Sequence, residues 1–442
     1  MTHSSEKERR LNRRAFLRLL GGSGAALLLT ACRRALPDLP AATSPAATTP
    51  GALAALPAAS PAAAASAGSR LALPLVSRSG VPATATPTPT ASPAPTATAT
   101  ATPTQAAALP AETATKRPRP TPLPTATPFP PGPPTKLGIF IGRNDPRIRD
   151  MLGTGNVAVV KTLEYDPSFA VELKQRAPHA LLIGRLRLPD GNLSSMTDPE
   201  AAAEAFVDQL LPIATEPRRL AAFDAWESLN EPVANDAEEM KRLARYEARR
   251  TRLLAQAGVR SVIGNFATGH PPLELWPYFR PALEAALETK GYLGLHEYSA
   301  PTMQFGTPQA LLHWGNDPGQ DGWLTLRYRK VYRSYLEPNN LALPLIMTEC
   351  GIDGMVGSRP GPQGQGWQDF AEYWWKELGM GPNAAGNYMQ QLAWYDAQLQ
   401  QDAYVRGAAI FAAAPPQGWE SYEILGDVEP LLRQYINVHP AT

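Results

Sequence analysis

Trp226-Glu227-Ser228-Leu229-Asn230-Glu231-Pro232 is answered later in the chain by Leu345-Ile346-Met347-Thr348-Glu349-Cys350-Gly351. Each stretch is a short, mostly apolar run that arrives at a carboxylate and then breaks on Pro or Gly. A buried strand that ends on Glu presents its carboxylate at the mouth of the fold. Two such strands supply two facing carboxylates, and two facing carboxylates can cleave a glycosidic bond.

Reading outward from these two runs, six more of the same kind appear. The predicted strands are Leu137–Gly142, Val157–Leu163, Ala180–Leu186, Phe223–Leu229, Ser261–Phe266, Tyr292–Tyr298, Leu343–Thr348 and Arg406–Ala412. Most are continuous runs of Val, Ile and Leu rather than alternating ones, as parallel strands buried on both faces require. Helical patterns lie between them, for example at Pro199–Ala214, Asp236–Ala257 and Asn387–Gln401. Eight strands with interposed helices predict an α/β fold, a (β/α)8 TIM barrel. A doubly wound open sheet is the alternative, but no glycine-rich phosphate loop of the required spacing supports it. In such barrels the active site sits at the C-terminal ends of the strands. Glu231 is expected to end the fourth strand and Glu349 the seventh. His296-Glu297-Tyr298 ends the sixth, and the period of two places His296 and Tyr298 on one face.

Asn-Glu-Pro ending the fourth strand, His-x-Tyr ending the sixth and Thr-Glu-x-Gly ending the seventh resemble the clan A glycoside hydrolases. That clan includes cellulases, β-mannanases, β-xylosidases and Asl1-like glucan hydrolases. The resemblance spans residues 136–442 and implies a retaining glycosidase that works by two-carboxylate double displacement on β-linked polysaccharide, without a cofactor. It implies that Glu231 is the acid/base and Glu349 the nucleophile. It also implies that Asn230 binds the substrate 2-hydroxyl, that Tyr298 hydrogen-bonds the nucleophile and that His296 lines the same subsite. The clan's second-strand arginine is replaced by Lys161, with Arg185 or Arg187 on the third strand as possible substitutes. Its eighth-strand tryptophan is replaced by Phe411-Ala412-Ala413-Ala414, with Trp419 following.

Other residues compete for these roles. Glu227, four positions before Glu231, points inward but deeper, and a buried pairing with a barrel Lys or Arg is the favoured reading. Glu297 alternates away from the lumen toward a loop. Trp314 and Trp419, in glycine-rich loops after strands six and eight, are candidate sugar platforms, since pyranose faces stack on indoles. His270 and His313 show no ligand spacing with Cys or acidic residues, so a metal site has no support in the sequence. Cys350 reads as a small buried hydrophobe, and no disulfide is expected.

Composition divides the chain into domains. Residues 37–135 hold 23 of the 47 prolines and one aromatic, Phe129, whereas all nine tryptophans lie beyond. Such a segment cannot bury enough apolar surface to offset its ordering entropy. Residues 33–135 therefore read as a disordered Pro/Thr/Ala-rich stalk of about 100 residues, which fully extended would reach roughly 300 Å. Residues 1–32 read as a signal peptide. Asn12-Arg13-Arg14-Ala15-Phe16-Leu17-Arg18 resembles the twin-arginine export motif, and Leu29-Thr30-Ala31-Cys32 a bacterial lipobox. Lipidation at Cys32 would anchor the protein to the outer face of the bacterial cytoplasmic membrane. Residues 1–135 carry 13 of the 41 basic and 4 of the 40 acidic residues, leaving 28 and 36 beyond. The folded part is thus mildly acidic, which argues against nucleic acid as a partner. A monomer acting on a polysaccharide or oligosaccharide is expected. A barrel that binds glycan or cell-wall polymer without turnover is the alternative function. A two-lobed solute-binding lipoprotein fits the single strand–helix alternation less well.

Overall fold

The computed structural model describes residues 129–187, 193–307 and 321–441. The signal peptide, Cys32, the stalk up to residue 128 and Trp314 lie outside the described residues.

The eight predicted strands are all present: β1 (Leu137–Ile141), β2 (Val159–Thr162), β3 (Leu181–Gly184), β4 (Ala225–Trp226), β5 (Val262–Phe266), β6 (Tyr292–Ser299), β7 (Leu345–Ile352) and β8 (Val405–Ala413). They form one sheet in the order β4-β3-β2-β1-β8-β7-β6-β5, every pairing parallel. A single parallel bridge, Trp226 to Ser261, joins β4 to β5 and completes the circle. The architecture is therefore the expected (β/α)8 barrel. Helices α1 (Arg147–Leu152), α2 (Pro167–Arg176), α3 (Pro199–Ala214), α4 (Pro217–Ala222), α5 (Ala237–Gln256), α6 (Arg280–Glu288), α7 (Tyr328–Val331), α8 (Ala371–Lys376), α9 (Ala384–Leu399) and α10 (Glu429–Asn437) lie between and after the strands.

Local chemistry starts the long helices where the sequence suggests. Asp198 caps α3 by accepting from the Ala201 amide, and Pro199 occupies its first turn. Asp236 caps α5 by accepting from the Glu239 amide at 2.8 Å, and Glu239 reaches back to the Asn235 amide, also at 2.8 Å. Every residue of β1, β2 and β5 to β7 is buried, because strand side chains that miss the lumen meet the helix ring instead. Leu137, Ile139 and Ile141 pack outward under the helices, whereas Phe140, Val159, Ile183, Ala225, Val262, Tyr292, Ile346 and Ala409 fill the lumen.

Phe129 already packs on the barrel, ahead of the expected boundary at Lys136. The Phe129 ring meets Tyr435 of α10 edge-on at 5.1 Å. The Gly132 amide donates to the Val438 carbonyl at 3.0 Å, and Thr135 Oγ1 donates to the buried Asp396 carboxylate at 2.8 Å. One aromatic anchor and these hydrogen bonds order a proline-rich stretch that its own composition would leave unfolded.

Candidate active site

The strands deliver the carboxylates to the lumen in ways that differ in detail from the sequence expectation. β4 spans only two residues, so Glu231 stands on the loop beyond it rather than at the strand end. Its amide donates to the Asn265 carbonyl at 3.1 Å. Its φ is 45°, a left-handed conformation that costs a non-glycine residue about 1–3 kcal/mol. Glu349 lies inside β7, which runs three residues past it to Ile352. Ile346 already faces the lumen, and strict alternation would turn Glu349 outward. The β6–β7 register instead steps from Leu295↔Met347 to His296↔Glu349, leaving Thr348 unmatched. This bulge shifts the phase by one residue and aims Glu349 inward, while Cys350 packs into the outer core. The Cys350 thiol is fully buried, and burial pushes its pKa well up.

The two carboxylates meet. His296 Nδ1 lies 2.9 Å from Glu231 Oε1 and 3.5 Å from Glu349 Oε2. One oxygen of each carboxylate and one His296 nitrogen fall within 4.8 Å of one another. Tyr298 Oη donates to Glu349 Oε2 at 2.8 Å. Burial and the adjacent carboxylates push the Tyr298 pKa well above its ordinary value, so the phenol remains a neutral donor. Asn230 Oδ1 accepts from Arg185 Nη1. Asn230, Glu231, His296, Tyr298 and Glu349 are therefore brought together as the sequence suggested.

Lys161 and Arg185 are the cationic neighbours of Glu349. Lys161 Nζ is 3.0 Å from Glu349 Oε1, and Arg185 Nη1 is 3.3 Å from the same oxygen. Arg187 does not take part. It donates instead to the Gly142 carbonyl at 2.7 Å and to Glu164 at 2.6 Å. Lys161 is also 3.0 Å from Glu227, whose side chain is fully buried, so one ammonium serves two carboxylates. Burial alone would raise the Glu349 pKa. His296, Lys161 and Arg185 overcome that and hold the carboxyl well below the usual range. Glu349 is thus an ionised carboxylate poised in a nearly closed lumen, while the Glu231 side chain is one-quarter exposed.

Phe411 occupies the lumen near the end of β8. Its ring lies 6.1 Å from Tyr298, 4.8 Å from Phe140 and 5.7 Å from Trp419, edge-on to Tyr298 and Trp419. Trp419 is half-buried and also packs on Tyr422 at 5.4 Å. An aromatic wall therefore leads from the partner of Glu349 toward the loop after β8. Glu297 faces outward and is fully enclosed. It accepts from the Leu326 and Tyr328 amides at 2.9 and 3.1 Å and from Tyr395 Oη at 2.9 Å. Burial outweighs these bonds and lifts its pKa to about 7.

Glu231, His296 and Glu349 are also the one grouping among the described residues with the spacing of a metal site. A cation there would share Glu349 with two cationic neighbours at 3.0 and 3.3 Å, a poor environment for an ion. Two buried residues that sequence reasoning passed over, Glu247 and Arg250 of α5, lie behind the Glu231 loop. They fall on the stripe formed by Leu243, Glu247, Arg250 and Leu254. Charges on an otherwise apolar face were the available signal.

No protein-family model matches the chain, and no curated protein matches it. Among solved structures, it is similar to a GH128 subgroup II endo-β-1,3-glucanase from Pseudomonas viridiflava, with 13% identity over 70% of this chain and 98% of that one and a TM-score of 0.36. It is similar to a β-glucuronidase from Ruminococcus gnavus, with 13% identity over 70% of this chain and 50% of that one and a TM-score of 0.42. It is also similar to a family 51 α-L-arabinofuranosidase from Bifidobacterium longum, with 15% identity over 71% of this chain and 75% of that one and a TM-score of 0.39.

Proposed function

We propose that the chain is a retaining glycosidase acting on β-linked polysaccharide, with Glu349 as nucleophile and Glu231 as acid/base. The observation that carries this reading is the short separation of the two carboxylates, an oxygen of each lying within 4.8 Å of the other and of His296. Retaining enzymes hold their carboxyls about 5–5.5 Å apart, whereas inverting enzymes leave about 6.5–9.5 Å for a water molecule.

In the first step a Glu349 oxygen bonds to the anomeric carbon. The glycosidic C–O bond breaks, and its electron pair leaves with the aglycone oxygen, which takes the proton of Glu231. In the second step Glu231 accepts a proton from water. The water oxygen attacks the anomeric carbon from the opposite side, and the Glu349 ester bond breaks. Lys161, Arg185 and Tyr298 keep Glu349 anionic before attack and receive its charge again after release. In this reading Asn230, which accepts from Arg185, holds the substrate 2-hydroxyl, and the Phe411–Trp419 wall supplies apolar surface for the sugar face.

Chemical rescue tests the assignment. Azide is expected to restore Glu349→Ala with an inverted glycosyl azide, because the anion attacks from the emptied nucleophile position. Glu231→Ala is expected to keep dinitrophenyl glycosides as substrates and to give a retained azide product. The reverse stereochemistry would exchange the two roles, and wild-type turnover in both variants would remove the proposal. We further propose, from Leu29-Thr30-Ala31-Cys32 and the arginine pair, that the protein is exported and lipid-anchored at Cys32. Cys32→Ala should abolish lipid labelling. Recovery of the wild-type protein from membranes with residues 1–31 intact would overturn this.

A further inference from the structure

The circle of strands has its weakest join between β4 and β5. Among the described residues, Trp226 opposite Ser261 is the one bridge there, and the Trp226 amide donates to the Arg260 carbonyl at 3.0 Å. Beyond it, backbone contact with β5 returns where the Glu231 amide meets the Asn265 carbonyl at 3.1 Å. Across the intervening residues, Glu227 is tied to the β3 side, its amide donating to the Gly184 carbonyl at 2.9 Å. The candidate acid/base therefore hangs from a stretch of chain that the sheet itself does not hold on the β5 side.

Two side chains of α5 occupy the gap. Glu247 accepts the Ser228 hydroxyl from the β4 side and the Gly264 amide, at 3.4 Å, from β5. Arg250 reaches the Trp226 carbonyl at 3.5 Å on the β4 side and the Val262 carbonyl at 3.0 Å on β5. The two are fastened to each other, Arg250 Nε and Nη2 lying 2.9 and 2.8 Å from Glu247 Oε2. Both are completely buried. Each one spans the seam, with one bond to either side, so together they stand in for the missing ladder rungs. A buried ion pair is costly to desolvate and is often replaced without loss by apolar packing. Its presence here is accounted for by the polar groups it meets on both sides of the seam, the Ser228 hydroxyl, the Gly264 amide and the Val262 carbonyl.

We infer that Glu247 and Arg250 are positioning residues for Glu231. They fix where the chain leaves β4, and so they set the height and direction at which the left-handed Glu231 enters the site. Ser228 is the contact through which Glu247 holds that loop. The inference rests on Glu231 being the acid/base proposed above.

The test uses Ser228→Ala in the full chain, with Glu231→Ala as reference. The probes are paired 2,4-dinitrophenyl and phenyl β-D-glycosides of glucose, galactose, mannose, xylose and glucuronic acid. Protonation of the leaving group matters for phenol and not for dinitrophenol. Ser228→Ala is expected to keep kcat/KM on the dinitrophenyl probe within about twofold while losing about tenfold on the phenyl probe, a part of the ~100-fold that misplacement by 1 Å can cost. Amide exchange of the same variant should quicken about tenfold at Glu231 and its loop, with β6 and β7 unchanged, as for a local opening. Equal losses on both probes, or exchange that quickens everywhere or nowhere, would overturn the inference and leave the pair merely structural. A Glu231→Ala variant without leaving-group dependence would instead remove the assignment of Glu231. The exchange measurement would then still decide whether Ser228 and Glu247 hold the seam. Glu247→Gln, which removes the charge but not the shape, should move both readouts in the same direction as Ser228→Ala.

Discussion

Replacing Lys161 by methionine tests the electrostatic logic of the lumen directly. The side chain is fully buried, and its ammonium lies 3.0 Å from both Glu349 and Glu227. At an effective dielectric constant of about 20, unit charges 4 Å apart interact by about 4 kcal/mol. Lys161→Met removes that interaction from two enclosed carboxylates at once, leaving Arg185 and His296 beside Glu349 alone. Breaking a buried ion pair from one side costs about 3–5 kcal/mol, so the urea midpoint at pH 7 should fall markedly. The sign with pH follows from Glu349. Its folded-state pKa is depressed, so its stabilising contribution is present above the unfolded value of about 4.3 and is lost as pH falls through the folded one. The deficit of the variant should therefore be greatest near neutrality and shrink below about pH 4, where the unfolded-state carboxylates are already protonated. Kinetics give the second reading. The acidic limb of kcat/KM reports ionisation of the free enzyme's nucleophile. In the wild type it should lie at the acidic extreme. In Lys161→Met it should rise toward the ordinary glutamate value of about 4.3. Lys161→Arg keeps the charge and should keep the acidic limb. An acidic limb in Lys161→Met that matches the wild type, or a stability deficit independent of pH, would refute the reasoning.

Tyr298→Phe removes the 2.8 Å bond to Glu349. With a hydrogen bond to a charged group worth about 1.5–3 kcal/mol, kcat should fall by about 10- to 100-fold and the thermal midpoint should drop as well. Glu297 is buried with its pKa raised to about 7. Its contribution to stability is therefore fully present below its unfolded value and lost as pH rises through about 7. Denaturant midpoints should decline across that interval in the wild type and stay flat in Glu297→Gln. Phe129→Ala removes the edge contact with Tyr435. It should free residues 129–135 to proteolysis without changing turnover, because that stretch packs on α10 ahead of the start of β1, whereas the site lies at the C-terminal ends of the strands.

The barrel was legible because strands enclosed on both faces must be apolar throughout, and the runs around Ile139, Ile183, Val262 and Ile346 stand out against charged helical segments. Glu231 and Glu349 were legible for the complementary reason: a carboxylate at the end of such a run has no place in a core. His296 and Tyr298 followed from the period of two along β6. The partners of Glu349 were only half visible. Lys161 and Arg185 could be named from their strands, but that one ammonium is shared by Glu227 and Glu349 depends on three strands closing at one height. The bulge at Thr348 and the two-residue extent of β4 were not visible at all. Both are properties of register against neighbouring strands, and an apolar run is compatible with either phase. Glu247 and Arg250 are the same case across the seam: their spacing on α5 marks them as inward-facing, but what they reach is set by where β4 and β5 part, which is a relation between distant segments rather than a property of either one.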